Sequence, residues 1–494
     1  MKARLKEFFA PIDLTKGSIF KVIIVFMIPI MISYFFQQIY TLTDAIIVGQ
    51  NLSGSEVNGV NDVGSLTYIV LQFAFGCAAG FSVVSSEKEG QKDLRGVRQS
   101  FFVQVVLSFF ISVVLTVLAV LLIDPLLSLV GLRPGDGGLT YEAAKTYIFI
   151  IFLGTICQVA YNQICSLLRS IGDSLTPLLF LIGSTVLNIG LDLLFIVVIP
   201  WGPAGAAIAT VAAQGLSALL CYVYTFVKYP WLRFKKEDFR ITGKEYGRHL
   251  KLGLPLAFQF SILAIGLITL QSTIVKFDTT PEGLVMAAGA AELAYGAVNK
   301  LSNFLMCPLN ALGTAILSYE GQNKGAGEEA RVKKGFRAAV LIMLGMYAII
   351  LAITLLLLVD DAFLKLFYSP SSISEDTVYL GRINLLMNIP FFPFVGMVFV
   401  FRGTLQGAGK PLWPLLAGCA ELLARTLLCL YGPYIFTSFI STELDLYQNP
   451  WPFVVTVLAD AFAWPMADLT FLVGFAVVFH HPTKKAEGLQ EAGK

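Results

Sequence analysis

Long apolar stretches alternate with short polar connections along almost the whole chain. A stretch of about twenty predominantly apolar residues can cross the hydrocarbon core of a bilayer as an α-helix. The pattern marks twelve such segments, at residues 18–48, 58–85, 98–123, 142–168, 175–199, 203–227, 252–275, 286–318, 336–359, 377–401, 412–440 and 451–480. The sequence therefore predicts an all-α integral membrane protein with twelve transmembrane helices.

The composition agrees with this class. Hydrophobic residues make up 56% of the chain and charged residues only 14%, whereas soluble domains carry about 25% charged residues. The most polar internal stretch, residues 228–251, is too short to form a separate catalytic domain. We therefore do not expect an enzyme.

The basic residues fall mostly on one side of the predicted membrane. With the amino terminus inside, 28 of the 35 lysines and arginines lie in or beside cytoplasmic segments, and 5 lie on the outer side. Short loops rich in lysine and arginine remain in the cytoplasm when a membrane protein inserts. The distribution predicts a multi-pass protein of the cytoplasmic (inner) membrane with both termini in the cytoplasm.

The two halves of the chain resemble each other. RSIGDSLTP at 169–177 matches QGAGKPLWP at 406–414, and SSEKEGQKDLRGVRQSF at 85–101 matches SYEGQNKGAGEEARVKKGF at 318–336. A repeat of six crossings returns to its starting side, so two six-helix lobes are expected about a pseudo-two-fold axis along the membrane normal. The predicted organisation is an amino-terminal lobe at 1–227, a cytoplasmic loop at 228–251, a carboxy-terminal lobe at 252–480 and a cytoplasmic tail at 481–494.

Several kinds of chemistry are not predicted. The seven cysteines lie in apolar runs and form no CxxC pair, which indicates neither a disulfide framework nor a metal site. The segment RGTLQGAGKPL, at 402–412, has Thr404 and Pro411 where a phosphate-binding loop needs glycine and a hydroxyl residue. No cofactor, resident metal or nucleic-acid partner is expected, so the energy for uphill transport must come from an ion gradient.

Two acidic residues lie within spans of the first half. A carboxylate in a membrane span is costly unless it is hydrated, paired or protonated. Asp44 shares a helical face with Gln37 and Tyr40, and is either a functional acid or a boundary residue that faces outside water. Asn188 and Asp192 lie one turn apart on one face, which suits a cation or proton site. Hydrogen bonding between helices is the alternative interpretation.

The second half carries two further polar sets. Glu421 and Arg425 are four residues apart, and form either a buried ion pair or part of a substrate cavity. Glu292, Tyr295 and Asn299 share a face that suits a wet cavity wall, where a carboxylate and an aromatic ring bind organic cations. Two more acids lie in the last span, at Asp460 and Asp468.

Segments typical of a known family occur in order along nearly the whole chain. They are PIMISYFFQQIYTLTDAIIVGQ at 29–50, NIGLDLLFI at 188–196, GPAGAAIAT at 202–210, KLSNFLMCPLNALGTAILSYEGQNKGA at 300–326, RGTLQGAGKPLWP at 402–414 and ELLAR at 421–425. On these segments the chain resembles bacterial transporters of the multidrug and toxic compound extrusion (MATE) family. The resemblance implies that Asp44, Asn188, Asp192 and Thr210 line a cation-coupling cavity for H⁺ or Na⁺. Residues 53–64 depart from the family's usual alanine-rich pattern.

The predicted function is that of a secondary antiporter. It would export small organic, often cationic, compounds in exchange for H⁺ or Na⁺ by alternating access, as a monomer in the bilayer. The alternative is a flippase of related fold for a lipid-linked saccharide or cell-wall precursor. Flippases need basic groups in the central cavity, and the sequence indicates only Lys300 and Arg425 well inside spans.

The charge distribution makes a prediction about topology. In a cysteine-free background, a single cysteine at Lys236 should react with an impermeant thiol reagent only from the cytoplasm, and one at Tyr447 only from outside. Labelling of intact cells and of inverted vesicles measures both. Reactivity of the two positions on the same side would contradict the predicted number of crossings.

Overall fold

The apolar segments of the first half fold as long helices. The computed structural model describes residues 10–133, 138–278, 289–436 and 450–480. Helices predominate because the bilayer has no water to satisfy backbone N–H and C=O groups. The helices of the first half are α1 (Ile19–Asn51), α2 (Gly54–Asp62), α3 (Gly64–Gly90), α4 (Leu94–Leu121), α5 (Ile123–Leu129), α6 (Leu139–Leu153), α7 (Thr155–Ser170), α8 (Leu175–Asp192) and α9 (Pro203–Lys228).

The second half repeats this helical pattern. Its helices are α10 (Gly243–Val275), α11 (Ala290–Gly325), α12 (Glu329–Leu357), α13 (Ala362–Lys365), α14 (Glu375–Asn388), α15 (Phe392–Gly407), α16 (Leu412–Phe436) and α17 (Trp451–His480). Short 3₁₀ turns at Val359–Asp361 and Ile389–Phe391 lead into α13 and α15. A π-helical segment, Leu193–Val198, extends α8.

The predicted fold class is confirmed. Among the described residues, eleven helical segments are long and apolar enough to cross a membrane, and the bent pair α6 and α7 makes twelve when counted as one span. The 46° bend in that pair lies at Gly154, against which the side chain of Val211 packs from α9. Hydropathy alone did not indicate this bend, because both arms of the span are apolar.

The connection between the halves is shorter than the predicted loop at 228–251. Residues 229–242 are non-helical apart from two 3₁₀ turns, and α10 begins at Gly243. Hydropathy marks only the apolar part of a helix, which lies in the hydrocarbon. The first turns of α10 are helical but polar, so the apolar pattern begins later than the helix does. The predicted tail at 481–494 and the position Tyr447 lie outside the described residues, and the division into two lobes remains a prediction.

Two helices from different halves, α3 and α10, pack closely against each other. A Cβ atom on Gly76 would lie 2.6 Å from Cα of Ala257, and one on Gly80 would lie 2.5 Å from Cα of Gly253. Glycine is therefore required at these positions of α3, because any side chain would meet the backbone of the other helix. The absent side chains let two membrane helices pack backbone to backbone.

The basic end of the bundle is the end that carries residues 10–18, 91–93, 171–174, 229–242, 326–328 and 408–411. There, Gln322 of α11 accepts a hydrogen bond from the backbone N–H of Leu14 at 3.2 Å and donates one to the carbonyl of Ser170 at 2.8 Å. Gly90 of α3 packs so closely on Gln322 that a side chain would meet its carbonyl oxygen. These contacts form a seam that joins the two halves at the basic end.

Ion pairs reinforce the same seam. Glu87 of α3 pairs with Arg248 of α10 at 2.9 Å and with Lys324 of α11 at 3.5 Å. Arg331 of α12 donates to the carbonyl of Gly17 at 2.9 Å. The amino-terminal segment is thereby bonded to the second half, which holds the two halves together at this end.

A buried ion pair anchors the connection to the first half. Asp238 accepts hydrogen bonds at 2.7 Å from Arg98 of α4 and at 2.7 Å from the backbone N–H of Lys235. Burial acts to raise the pKa of Asp238, but the hydrogen bonds and the charge of Arg98 outweigh it and hold the pKa below the ordinary value of 3.8. The carboxylate therefore stabilises the docked connection at neutral pH.

Replacing Asp238 with asparagine tests this contribution. A group whose pKa is lower in the folded state stabilises that state above its unfolded pKa, and the contribution is lost as the pH falls through the folded pKa. We expect Asp238→Asn to lower the thermal midpoint by a few degrees at pH 7 (about 1 kcal/mol or more), with a difference that shrinks below about pH 4. Scanning fluorimetry of the detergent-solubilised protein at pH 7, 5 and 3 measures it.

Glu237→Gln is the matched control, because Glu237 lies in the same turn with 60% of its side chain exposed. Its pair with Arg95, at 3.5 Å, is a surface contact of small expected effect. A midpoint lowered equally by the two variants, or equally at all three pH values by Asp238→Asn, would contradict the proposed anchor.

Candidate functional site

The acids predicted in the first half meet at the end of the bundle opposite the basic end. Asp44 of α1 and Asp192 of α8 lie within electrostatic range of each other. Beside them, the hydroxyl oxygens of Tyr40 and Thr210 lie 3.3 Å apart. Asn188 lies one turn before Asp192 on α8 and is 1% exposed. The structure therefore brings all four predicted cation-site residues into one group, which we call the acid cluster: Asp44, Asn188, Asp192 and Thr210.

The chain after Asp192 positions the acid cluster. The π-helical segment Leu193–Val198 follows it directly, and such wide turns are frequent at functional sites. Gly202 then turns the chain with a φ of 61°, a left-handed value that favours glycine. Pro203 follows at the first position of α9, where its missing N–H is not needed. The GPAGAAIAT segment therefore reverses the direction of the chain in a tight turn and places Thr210 beside Tyr40 of α1.

The polar atoms of the acid cluster are buried but not satisfied. Asp192 is fully buried, and neither of its carboxyl oxygens has a hydrogen-bond partner within the described ranges. The same holds for both side-chain polar atoms of Asn188 and for Oδ1 of Asp44. Buried polar atoms in proteins are almost always hydrogen-bonded, so a group of five without partners needs an explanation. A proton or a small cation between the carboxyl groups would satisfy them.

The oxygen ligands of the acid cluster limit which ion could bind. Carboxyl, amide and hydroxyl oxygens suit a proton or a hard cation, whereas transition metals prefer nitrogen or sulfur ligands. No group of three histidine, cysteine or acidic residues that could hold a metal ion occurs in the part of the chain that is described. The geometry therefore fits transient binding of H⁺ or Na⁺ better than a resident metal.

Tyr147 is a member of this site that the sequence did not indicate. It belongs to α6 and lies within electrostatic range of Asp44, Asp192 and Tyr40. Nothing distinguishes it in a span rich in aromatic residues, and only the packing of α6 against α9 brings it near. Gln37, which was predicted on the same polar face of α1, is exposed.

The second half contains a charge cluster of a different kind. Arg425 of α16 is 3% exposed and donates from Nη2 to Glu421 at 2.9 Å and from Nε to Asp460 of α17. The ion-pair interpretation of Glu421 and Arg425 therefore describes their geometry, and Asp460 adds a second carboxylate. A buried arginine with two carboxylates has its charge compensated within the protein.

Arg402 extends this cluster and was missed by the sequence analysis. It lies in α15 at 8% exposure, within electrostatic range of Glu421 and Asp468. Charge counting assigned it to the neighbouring loop, because it lies only five residues before the end of its helix. The expectation that only Lys300 and Arg425 lie well inside spans was therefore wrong.

The predicted cavity wall on α11 is only partly exposed. Glu292 and Asn299 are exposed, but Tyr295 is buried at 9% exposure beside Phe453 and Phe277. The three residues share a helical face, but Tyr295 packs in the core instead of lining water. Lys300 lies 5.2 Å from the ring centre of Tyr368, so it is packed by a cation-π contact.

A cavity of about 550 Å³, including its open mouth, lies between the two halves towards the basic end. The first half contributes Arg169 of α7 and residues of α3, and the second half contributes Arg402 and residues of α10 and α11. Its lining residues are Phe75, Ala79, Ser82, Ser166, Arg169, Phe260, Asn310, Gly313, Thr314, Leu317, Ser318, Phe399, Arg402, Gly403 and Gln406. Two basic side chains therefore line a cavity between the halves, although the sequence indicated only Lys300 and Arg425 as candidates.

Comparison with known proteins supports the resemblance seen in the sequence. Residues 29–194 and 283–430 match the MatE family model. A probable multidrug resistance protein of Bacillus subtilis (strain 168), YpnP, is 31% identical over 405 residues, which cover 81% of this chain and 85% of that protein. A second from the same organism, YoeA, is 24% identical over 407 residues, with 81% and 84% covered. A crystal structure of MATE in complex with MaL6 matches 95% of this chain and 99% of that chain, with a TM-score of 0.80 at 21% identity.

The charge cluster of the second half predicts unequal effects of neutralising its members. Arg425→Gln leaves two carboxylates unpaired, so we expect the largest loss of folded protein, about 3–5 kcal/mol for a broken buried pair. Glu421→Gln should cost less, because Arg425 keeps Asp460. Fluorescence-detected size exclusion of fusion proteins measures folded yield.

A triple variant separates charge from shape. Glu421→Gln, Arg425→Gln and Asp460→Asn together remove every charge of the group, and yield should recover relative to Arg425→Gln alone. Lys300→Gln serves as the control, because this lysine is exposed and pairs with no carboxylate of the described chain within 4.0 Å. Normal folding of Arg425→Gln would show that the ion pairs do not hold the helices together.

Proposed function

The chain belongs to the MatE family, whose members are multidrug efflux transporters and not enzymes, and we propose that it is a secondary antiporter that exports small organic, often cationic, compounds in exchange for H⁺ or Na⁺. The observation that carries the proposal is the proximity of Asp44 and Asp192, whose carboxyl groups interact electrostatically and leave three oxygens buried without partners among the described residues. The names of the two Bacillus subtilis relatives, both probable multidrug resistance proteins, support an efflux function.

The acid pair suits coupling because it lacks a fixed positive partner. No lysine or arginine of the described chain lies within 4.0 Å of either carboxyl group, and three of their four oxygens are buried without partners. Two ionised carboxyl groups in contact repel each other, and their charge in a span is costly. A bound proton or cation removes both penalties, so the cluster responds to the ion concentration outside.

The contrast with the second half supports this assignment. Arg425 compensates Glu421 and Asp460 within the protein, so those acids do not need a mobile ion. We assign the cluster around Arg425 to structure and the acid cluster to coupling. Glu292 and Asn299, which are exposed on α11, remain candidates for the wall of an open substrate path.

The seam at the basic end suggests the conformation. The excess of basic residues there supports a cytoplasmic location of that end, with both termini inside. Gln322, Glu87 and Arg331 then close the cytoplasmic side, which makes this an outward-facing state. We propose that two lobes, 1–227 and 252–480, move apart at the seam and so open the cavity to the cytoplasm. Because one chain supplies both walls of the cavity, a monomer suffices.

Neutralising either acid tests the coupling role. We expect Asp44→Asn and Asp192→Asn to insert and fold, since asparagine keeps the shape and removes the charge cost. Each should lower gradient-driven efflux about tenfold or more, because an amide neither takes up a proton in this range nor balances a cation. Efflux of a fluorescent cationic dye from proteoliposomes, under imposed H⁺ and Na⁺ gradients in turn, measures coupling and identifies the ion.

Asp62→Asn is the matched control. Asp62 ends α2 on the same side of the bundle and is exposed, so the same chemical change should leave efflux unaltered. Uphill efflux by Asp192→Asn at the wild-type rate, with equal protein in the vesicles, would rule out the coupling site.

A further inference from the structure

The cavity between the halves differs in charge from the acid cluster. Two arginines line it, one from each half, and no carboxylate is among its lining residues. Phenylalanine rings from three helices, Phe75, Phe260 and Phe399, complete its apolar surface. A site for organic cations would need negative charge, whereas the charged side chains that line this cavity are the two arginines, which donate hydrogen bonds and accept none.

Arg402 lines this cavity and carries a buried donor without a hydrogen-bond partner among the described residues. Its guanidinium carbon lies 5.6 Å from the ring centre of Phe260 and 5.5 Å from that of Phe399, so two aromatic rings hold the group in place. The side chain is 8% exposed, and its Nε has no hydrogen-bond partner in the described parts of the chain. Arginine donors buried without a partner are costly, and a bound anion would satisfy them.

The acids near Arg402 do not occupy that donor. Glu421 and Asp468 lie within electrostatic range and lower the cost of burying the charge. Neither forms an ion pair with Arg402 within 4.0 Å in the described residues, and neither lines the cavity. They compensate the charge of the arginine without forming an ion pair with it among the described residues.

Arg169 repeats this arrangement from the other half. It lies in the last turn of α7, and its Nε is also buried without a partner among the described residues. Ser166 lies one turn before it on the same helix and lines the same cavity. An anion held between Arg169 and Arg402 would therefore contact both halves of the protein at once.

We propose that this cavity binds an organic anion, with a phosphate or carboxylate group between Arg169 and Arg402 and an aromatic body against Phe75, Phe260 and Phe399. Arginine recognises both anionic groups through two parallel N–H donors, and the phenylalanine rings of three helices supply an apolar wall beside them. The inference rests on the proposed transport function and adds a second substrate class to it. Binding at this site does not require the acid cluster.

Equilibrium binding tests the proposal without any gradient. The probe is 1-naphthyl phosphate, and the matched probe of opposite charge is 1-naphthylmethylammonium, both added to the full-length protein in an uncharged detergent without added lipid. Isothermal titration calorimetry should show binding of the phosphate to the wild type. Arg169→Gln and Arg402→Gln should each weaken it about tenfold or more, and neither should alter any binding of the ammonium probe.

Three controls make the result specific. Lys300→Gln removes an exposed lysine that does not line the cavity, and should leave phosphate binding unchanged. Arg402→Lys keeps the charge but loses the planar donor pair, so it should give an intermediate affinity. If Arg402→Gln fails to fold because Asp468 loses its nearby charge, Arg169→Gln still decides the question.

Two outcomes would overturn the proposal. One is equal affinity for 1-naphthyl phosphate in the wild type and Arg169→Gln. The other is that the wild type does not bind the phosphate probe but is thermally stabilised by added phosphatidylglycerol, and that both arginine variants lose this stabilisation. That result would assign the arginines to a lipid headgroup. Asp192→Asn should retain phosphate binding, so failure here and failure of the dye efflux test remain distinguishable.

Discussion

The cost of placing a charge in hydrocarbon limits every ionisable residue in the spans of this protein. Arg425 meets that constraint by pairing with Glu421 and Asp460 inside the bundle. Asp44 and Asp192 differ, because among the described residues neither forms an ion pair with a basic side chain and each interacts with the other. In the proposed function, a proton or cation that binds and leaves stabilises this pair. The same constraint is then met by a permanent bond in one half and by a mobile ion in the other.

The two halves therefore share an architecture but divide the chemistry. In each half, a long helix with an internal proline, α1 or α10, packs against the other half. The acid cluster lies within the first half alone, whereas the cavity with Arg169 and Arg402 requires both. An ion that acts within one half can influence a substrate held between the halves only by changing how the halves fit. This separation favours coupling through conformation over direct competition for one group.

Hydropathy and helical spacing predicted the features of this protein that depend on one helix at a time. The twelve spans and the shared face of Asn188 and Asp192 are of that kind. Features that depend on packing between helices could not be read from the chain. Tyr295 is buried because α17 covers it, and Arg402 is buried because the rings of Phe260 and Phe399 enclose it.

Glu320 shows the same limit at a helix end. It lies in a stretch that looks like a cytoplasmic loop, EGQNKG, yet α11 continues to Gly325 and buries the carboxyl group completely. Both of its oxygens lack partners among the described residues. Loop composition predicts exposure only when the helix ends where the apolar run ends, and here the helix extends further and packs beneath α12 and α15.

The seam at the basic end combines polar contacts with an apolar one, because Leu14 is fully buried in a core cluster that it shares with α11. At Gly90 the contact is glycine against the backbone of Gln322, and the surrounding bonds are to carbonyls and a few charged side chains. Water can replace each of these polar partners when the seam parts, so they add little to the free energy of opening. The apolar contact at Leu14 has no such replacement and makes the larger contribution. One proton moving down a gradient of one pH unit supplies about 1.4 kcal/mol. In the proposed antiport, the gradient therefore acts mainly against the small apolar part of the seam.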